Sequence, residues 1–197
     1  MPVIKYKTIL KSIFKKPVFT PTDLHNEGVR WNYAKKLLHL LAKNGEIKQI
    51  ERGKYTRLDD PVAVAPHITS PSYISLWTAL SIHKLTTQVP FSVEVITSRR
   101  RFKNKIEFLN TPIIFHKVDP KMMFGYEHII WKENARIPVA RPEKAVIDAL
   151  FTGMIPKEDL AEIIKDLDKP LLKKYSRLTG NKKIKEGVEK LCSLRKK

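Results

Sequence analysis

The sequence predicts an α+β chain in two parts, residues 1–60 and residues 61–197. Three observations lead to this prediction. Three helical patterns and a short β-hairpin follow one another within the first 58 residues. Residues 59–66, which contain two prolines, then interrupt all periodicity. Beyond them, β-type runs are followed by helical patterns, and 197 residues with 42% hydrophobic content suffice to bury the cores of two small domains.

The N-terminal part contains three helical segments. Apolar residues recur at near-helical spacing over residues 4–14. Thr20 is suited to cap a second helix with Pro21 at its first position, and Gly28 ends that helix. A third helix is predicted from Arg30 to Lys43, because the following Asn-Gly pair is a stop signal.

The third helix separates into two faces when its residues are placed at 100° intervals. One face is apolar and predicts a contact with the core: Ala34, Leu37, Leu38 and Leu41. The opposite face is basic and amide-bearing: Asn32, Lys35, Lys36, His39 and Lys43. Asparagine pairs with adenine edges and lysine with guanine edges or phosphate, so this face suits the major groove of DNA, although a solvated helix face is the alternative interpretation.

Two β-prone runs flank Arg52-Gly53 and predict a hairpin with basic residues at its tip. Three helices followed by a basic hairpin describe a winged helix-turn-helix, in which the third helix enters the groove and the wing reaches the phosphates or the minor groove. The sequence therefore predicts that residues 1–60 bind double-stranded DNA. The predicted contacts are Arg30, Trp31, Asn32, Lys35, Lys36, His39, Arg52 and Lys54.

The net charge of +18 is concentrated at the two ends of the chain. Residues 1–58 carry a net charge of +9, residues 59–170 of +1 and residues 171–197 of +8. Basic ends favour a polyanionic partner through counterion release, whereas solvated lysines kept for solubility are the alternative. Secondary basic contacts are expected at Arg99, Arg100, Arg101, Lys103, Lys182 and Lys183. Because residues 171–197 carry +8, their deletion is expected to weaken DNA binding.

Residues 61–197 are predicted to form a mixed α+β domain with a small sheet and C-terminal helices. A helix capped by Ser70-Pro71-Ser72 is expected to run to about Lys84. Strands are predicted over residues 91–97, 112–118, 127–132 and 135–140. Later helices are expected from Pro142 to Gly153, from Pro156, and from Asn181 to the basic terminus, with Ala145, Ile147, Leu150 and Phe151 as apolar contacts of the first.

Composition also predicts where the protein works. The single Cys192 excludes an intramolecular disulfide and a cysteine zinc site, which fits a reducing compartment. The N-terminus lacks the apolar core of a signal peptide, and no run of about eighteen apolar residues occurs. A cytoplasmic protein with no cofactor, no metal and no membrane partner is expected.

Three motifs together give the sequence a resemblance to the AbiEi-type antitoxins. They are Lys43-Asn44-Gly45-Glu46-Ile47 with Arg52-Gly53-Lys54-Tyr55, then residues 73–80 with 83–88, then Arg141-Pro142-Glu143-Lys144-Ala145 with Asp148. The resemblance covers roughly residues 5–165. It implies a winged helix that represses the promoter of its own operon, and a second domain involved in DNA binding and in neutralising a nucleotidyltransferase-like toxin.

Two other functions stay open at this point. Asp119-Pro120-Lys121 has the spacing of some metal-dependent nucleases, with Glu107 as a second carboxylate for Mg²⁺, but such short matches are common. The basic ends would also suit an RNA-binding protein. A non-enzymatic DNA-binding regulator is preferred, and Glu143 and Asp148 are expected to serve helix capping and surface salt bridges.

Overall fold

The computed structural model describes residues 6–193, with only the backbone at residue 133. Its N-terminal part consists of three helices and a two-stranded antiparallel sheet. The elements are α1 (Lys7–Ile13), α2 (Pro21–Asn26), α3 (Trp31–Lys43), β1 (Lys48–Glu51) and β2 (Lys54–Thr56). Ile4, which belongs to the first helical pattern, lies outside the described residues.

The caps of these helices follow from the sequence as predicted. Thr20 caps α2 and forms a capping box with Asp23, each side chain accepting a hydrogen bond from the other residue's backbone N–H. Arg30 is the residue that precedes the first turn of α3. Gly53 lies in the turn of the hairpin with φ +77°, a conformation that side-chain-bearing residues rarely adopt. The predicted hairpin is therefore confirmed.

The N-terminal helices and the hairpin share one core. The buried stripe of α3 is the predicted one, Ala34, Leu37, Leu38 and Leu41. It packs with α1, α2 and the buried Ile47 and Tyr55 of the hairpin region. Phe19 and Tyr55 exchange two backbone hydrogen bonds of 2.9 Å, which fix the chain before α2 to strand β2.

A six-stranded mixed sheet forms the centre of the remaining chain, in the order β5-β6-β4-β3-β8-β7. Its strands are β3 (Ser72–Ile74), β4 (Val93–Thr97), β5 (Lys105–Phe108), β6 (Thr111–Lys117), β7 (Tyr126–Ile130) and β8 (Arg136–Ala140). The β3–β8 and β4–β6 pairs are parallel, and the other pairs are antiparallel. The α+β class is confirmed, and the sheet is larger than the sequence predicts.

The helix predicted from Ser70-Pro71-Ser72 is wrong in its first turn. Residues 72–74 are the central strand β3, and α5 (Leu76–Ile82) starts only afterwards. Ser72 does not cap a helix, because its hydroxyl donates hydrogen bonds to the carbonyls of Pro66 and Thr69. The segment is buried on both faces between β4 and β8, so its continuous apolar pattern is equally typical of a central strand.

Other boundaries also differ from the predictions. Residues 132–134 form a short 3₁₀ turn instead of extending the preceding strand, and β5 occupies the end of the basic loop. Phe151, predicted as an apolar contact, is 40% exposed, because it lies near the C-terminal end of its helix.

The remaining helices are α4 (Pro61–Val64), α6 (Pro142–Thr152), α7 (Lys157–Ile163), α8 (Lys169–Leu178) and α9 (Lys182–Ser193). Among them, α8 was not predicted, and neither was α4, which lies in the segment that interrupts the periodicity and is capped by Asp60 with Pro61 at its first position.

The two faces of the sheet carry different layers. Val93 and Val95 of β4 pack with Ile50 of the hairpin, together with buried residues of the α4 region. Glu94 between them points to the opposite face, where its carboxylate accepts a hydrogen bond from the backbone N–H of Trp77 in α5. Helices α6, α8 and α9 pack against one another on this second side. The N-terminal part and the helical layer therefore lie on opposite faces of the sheet.

Candidate nucleic-acid interface

The outer face of α3 presents the predicted basic and amide side chains together. All five members of that face are exposed: Asn32, Lys35, Lys36, His39 and Lys43. The helix contains no acidic residue, so no carboxylate on the helix itself neutralises these lysines. A helix of 13 residues is about 20 Å long, which is enough to lie along the major groove over several base pairs.

Trp31 lies at the edge of this face and is not a core residue. Its side chain is 41% exposed and meets the ring of His25 edge-on, with the ring centroids 5.9 Å apart. The ammonium of Lys35 lies 4.5 Å from the centroid of the same indole ring. This cation–π contact orients Lys35 along the N-terminal half of α3 while leaving it exposed.

The hairpin tip separates its two predicted contact residues. Arg52 is exposed at the turn. Lys54 points back toward the protein, where its ammonium lies 2.9 Å from the Glu51 carboxylate and donates a hydrogen bond to the carbonyl of Ile68. Arg52 is therefore the free cation of this tip, and the charge of Lys54 is partly neutralised.

A basic cleft of about 1120 Å³ separates the hairpin tip from the loop that precedes β5. Its lining includes Arg52 on one side, and its other cationic members are Lys54, Arg99, Arg100, Arg101, Lys103 and Lys105. Phe102 is fully exposed at the same loop. Cations around an exposed aromatic ring suit contacts to phosphates and to a nucleobase face.

Arg101 differs from the other arginines of this loop, because its side chain is only 8% exposed. Its guanidinium lies 2.7 Å from a Glu51 carboxylate oxygen and 4.0 Å from the centroid of the Phe115 ring. It also donates hydrogen bonds to the Thr69 hydroxyl and the Lys103 carbonyl. Arg101 thus joins the loop to the hairpin and is not a free cation, a distinction that the sequence Arg99-Arg100-Arg101 does not reveal.

The C-terminal basic residues belong to a different surface. Lys182 and Lys183 lie at the start of α9 and are exposed, with Lys182 3.9 Å from Glu186. Helix α9 is part of the helical layer, across the sheet from α3. Among the described residues, the basic side chains of α9 therefore lie on a different surface from those of the hairpin tip.

A buried ion pair lies between the central strand and α6. Lys144 and Asp148 are both 0% exposed and in direct contact, which corrects the expectation of a surface salt bridge at Asp148. Tyr73 and Ser75 donate hydrogen bonds of 3.0 and 2.8 Å to the second Asp148 oxygen. The Lys144 ammonium also faces the rings of Tyr73 and Phe124. The apolar residues that surround the pair in sequence could have indicated that it is buried.

Burial dominates the ionisation of this cluster. It raises the pKa of Asp148, against the opposing effects of Lys144 and the two hydroxyls, and it lowers the pKa of Lys144. Burial, together with the adjacent Asp148, holds the pKa of Tyr73 well above its ordinary value of 10.0. The hydrogen bonds of this cluster join the central strand and the residue after it to α6.

Glu143 also has a structural role that differs from the expected one. It is 7% exposed, and its carboxylate accepts a hydrogen bond of 3.1 Å from the backbone N–H of Asp168. Asp168 in turn caps α8 by accepting from the N–H of Leu171. Glu143 therefore fixes the beginning of α8 to the beginning of α6.

The carboxylates of the nuclease-like motif occupy ordinary structural positions. Asp119 precedes a 3₁₀ turn and accepts a hydrogen bond of 3.0 Å from the backbone N–H of Lys121. Glu107 lies on the edge strand β5, opposite Pro112. Within residues 6–193, no three or more His, Cys, Asp or Glu side chains are grouped so that they could hold a metal ion.

No protein-family profile matches the chain, and no curated protein matches it. Among solved structures, the chain is similar to the crystal structure of the RV2827C protein from Mycobacterium tuberculosis, with 10% sequence identity and a TM-score of 0.46. The likeness covers 98% of this chain and 82% of that one. At this identity and score it supports no conclusion about binding. In the described part of the chain, every helix is too short or too polar to cross a bilayer.

Proposed function

We propose that the protein is a non-enzymatic DNA-binding transcriptional regulator that reads duplex DNA with α3. The single observation that carries this proposal is the exposed face of α3, which combines three lysines, an asparagine and a histidine and has no acidic residue. The order of three helices and an antiparallel hairpin supports the interpretation of residues 1–60 as a winged helix-turn-helix.

The contacts have different roles in this proposal. Asn32 and the lysines of α3 face base edges and phosphates in the major groove. Arg52 at the hairpin tip contacts the adjacent backbone or the minor groove. The exposed cations across the cleft extend the phosphate-binding surface beyond the hairpin: Arg99, Arg100, Lys103 and Lys105.

The resemblance of the sequence to AbiEi-type antitoxins supports a more specific function. We propose that the chain represses the promoter of its own operon and counteracts a nucleotidyltransferase-like toxin encoded beside it. A cytoplasmic location follows from this proposal. The neighbouring open reading frame tests it directly, because its product would be toxic when expressed alone and tolerated when expressed together with this chain.

DNA binding is tested by fluorescence anisotropy on a duplex of the upstream region at several salt concentrations. We expect submicromolar affinity at low salt, and a logarithm of the association constant that falls steeply with the logarithm of salt concentration. Absence of binding at low salt would contradict the proposal. Structured RNA as competitor and plasmid nicking in the presence of Mg²⁺ are the two controls, because they separate this function from RNA binding and from nuclease activity.

A further inference from the structure

A row of cations on α8 forms a second charged surface, distinct from the proposed DNA-binding face. Lys169, Lys173 and Arg177 are spaced four residues apart, so they lie along one side of the helix at intervals of about 6 Å. A shallow concavity of about 490 Å³ separates this row from the adjacent row of Pro170, Lys174 and Leu178.

The four cations of this surface have no ion-pair partner within residues 6–193. Some exposed lysines elsewhere are paired, for example Lys16 with Asp23 at 2.6 Å and Lys165 with Glu162 at 2.5 Å, and others, such as Lys35 and Lys36 of α3, have no ion pair among the described residues. The concavity on α8 is lined by no carboxylate. An unneutralised cluster on a helix of 10 residues favours an anionic partner over a self-contained surface.

The position of α8 separates this surface from α3. The opposite side of α8 is anchored by Leu172, Tyr175 and Ser176 in the helical layer, and the capping contact with Glu143 fixes its beginning. That layer covers the face of the sheet opposite to the hairpin and α3. The row on α8 and the hairpin that follows α3 therefore belong to layers on opposite sides of the sheet.

Apolar groups within the same concavity indicate the kind of anion. Leu178 is 52% exposed and Pro170 is exposed. Apolar surface therefore lies on both sides of Lys174 along the helix. Phosphates are bound through the cations alone, whereas an amphipathic acidic helix offers both carboxylates at four-residue spacing and apolar side chains beside them, which matches the mixed lining of this concavity. We propose that the outer face of α8 is a docking surface for an acidic amphipathic helix of a partner protein. This inference does not depend on DNA binding by α3.

The test uses the full chain and a fluorescein-labelled amphipathic peptide of about 18 residues, with Glu at every fourth position beside a row of Leu. A matched peptide with Gln in place of Glu measures the contribution of charge. The variant Lys173→Glu/Arg177→Glu changes the α8 row, and Lys35→Glu/Lys36→Glu is the control with the same change of charge on α3. All four side chains are exposed, and circular dichroism verifies the fold of both variants.

We expect the α8 variant to bind the acidic peptide about tenfold more weakly, with the α3 variant close to wild type. Leu178→Ser should also weaken peptide binding severalfold without changing the affinity for a duplex. Equal loss in the α3 and α8 variants would overturn the proposal, because binding would then follow net charge alone. The proposal would also be overturned if the α8 variant lost affinity for the duplex but still bound the peptide, because the row on α8 would then contact nucleic acid. A wild-type chain that fails to bind any duplex would contradict DNA binding only.

Discussion

The Arg101 guanidinium lies 2.7 Å from the Glu51 carboxylate and connects the loop before β5 to the hairpin. The same carboxylate group also contacts Lys54 at 2.9 Å, so Glu51 is shared between the hairpin's own lysine and the loop arginine. This contact bridges the two walls of the basic cleft, because Glu51 belongs to the hairpin and Arg101 to the loop.

The first prediction separates Arg101 from its neighbour Arg100. Arg101→Ala removes the contacts with Glu51, Thr69 and Phe115. We therefore expect the free energy of unfolding to fall by about 1–2 kcal/mol. Arg100→Ala should leave stability unchanged, because Arg100 is exposed, and should weaken duplex binding. Urea denaturation and anisotropy measure the two effects. A variant of Arg101 with wild-type stability would contradict the assignment.

The second prediction concerns the two kinds of contact on α3. Asn32→Ala should reduce affinity for the upstream duplex by about 1–3 kcal/mol and relax the preference for it over unrelated DNA. Lys36→Ala should weaken binding to all duplexes alike. It should also reduce the slope of the logarithm of the association constant against the logarithm of salt concentration by about one. Lys7→Ala on α1 is the matched control. If Asn32→Ala and Lys36→Ala behave identically on specific and unrelated DNA, direct base readout by Asn32 is refuted.

The third prediction concerns the pH dependence of the capping box at α2. Burial raises the pKa of Asp23, but hydrogen bonds with Lys16 and Thr20 outweigh burial and lower it below the ordinary 3.8. The folded state therefore binds this proton less readily than the unfolded state. The contribution of Asp23 to stability is complete above about pH 5 and is lost as the pH falls below 4.

Asp23→Ala should thus destabilise the protein by about 1 kcal/mol at pH 7 and have a smaller effect at pH 3.5. Thermal unfolding of wild type and variant at both values measures the difference. Glu27→Ala, an exposed residue at the end of the same helix, serves as control. A difference that does not change with pH would contradict the role of the ionised carboxylate.

The fourth prediction tests the buried pair of Lys144 and Asp148. Lys144→Met leaves the Asp148 carboxylate buried without its cation, so a loss of about 3–5 kcal/mol is expected. Lys144→Met/Asp148→Leu should recover part of this loss, because the uncompensated charge is removed together with its partner. Lys165→Met, which breaks the exposed contact with Glu162, should have no measurable effect. Additive effects at positions 144 and 148 would argue against a coupled pair.

Local signals in the sequence sufficed for the N-terminal part. Caps, stop signals and the two faces of α3 depend on neighbours within a few residues, and these predictions agree with the structure. The helix predicted at Ser72 is wrong because the pattern of a fully buried strand depends on β4 and β8, which are distant in sequence. For the same reason, nothing in Arg99-Arg100-Arg101 shows which arginine meets Glu51.

Deletion of residues 171–197 illustrates how the structure changes an experiment. The sequence suggests this deletion as a test of the C-terminal charge. The deleted segment, however, supplies buried side chains to the helical layer, among them Leu172, Ile184, Val188 and Leu191. Loss of DNA binding after such a deletion would report unfolding, so charge reversal on the exposed face of α8 is the appropriate substitute.

The position of α8 and α9 in the core also determines the order in which the chain completes its fold during synthesis. The core around α3 is built from residues 10–55 and is complete early in translation. The other core requires side chains up to Leu191, so it closes only after α9 has left the ribosome. The part of the chain with the proposed DNA-binding face thus folds while the second core still exposes apolar side chains to solvent.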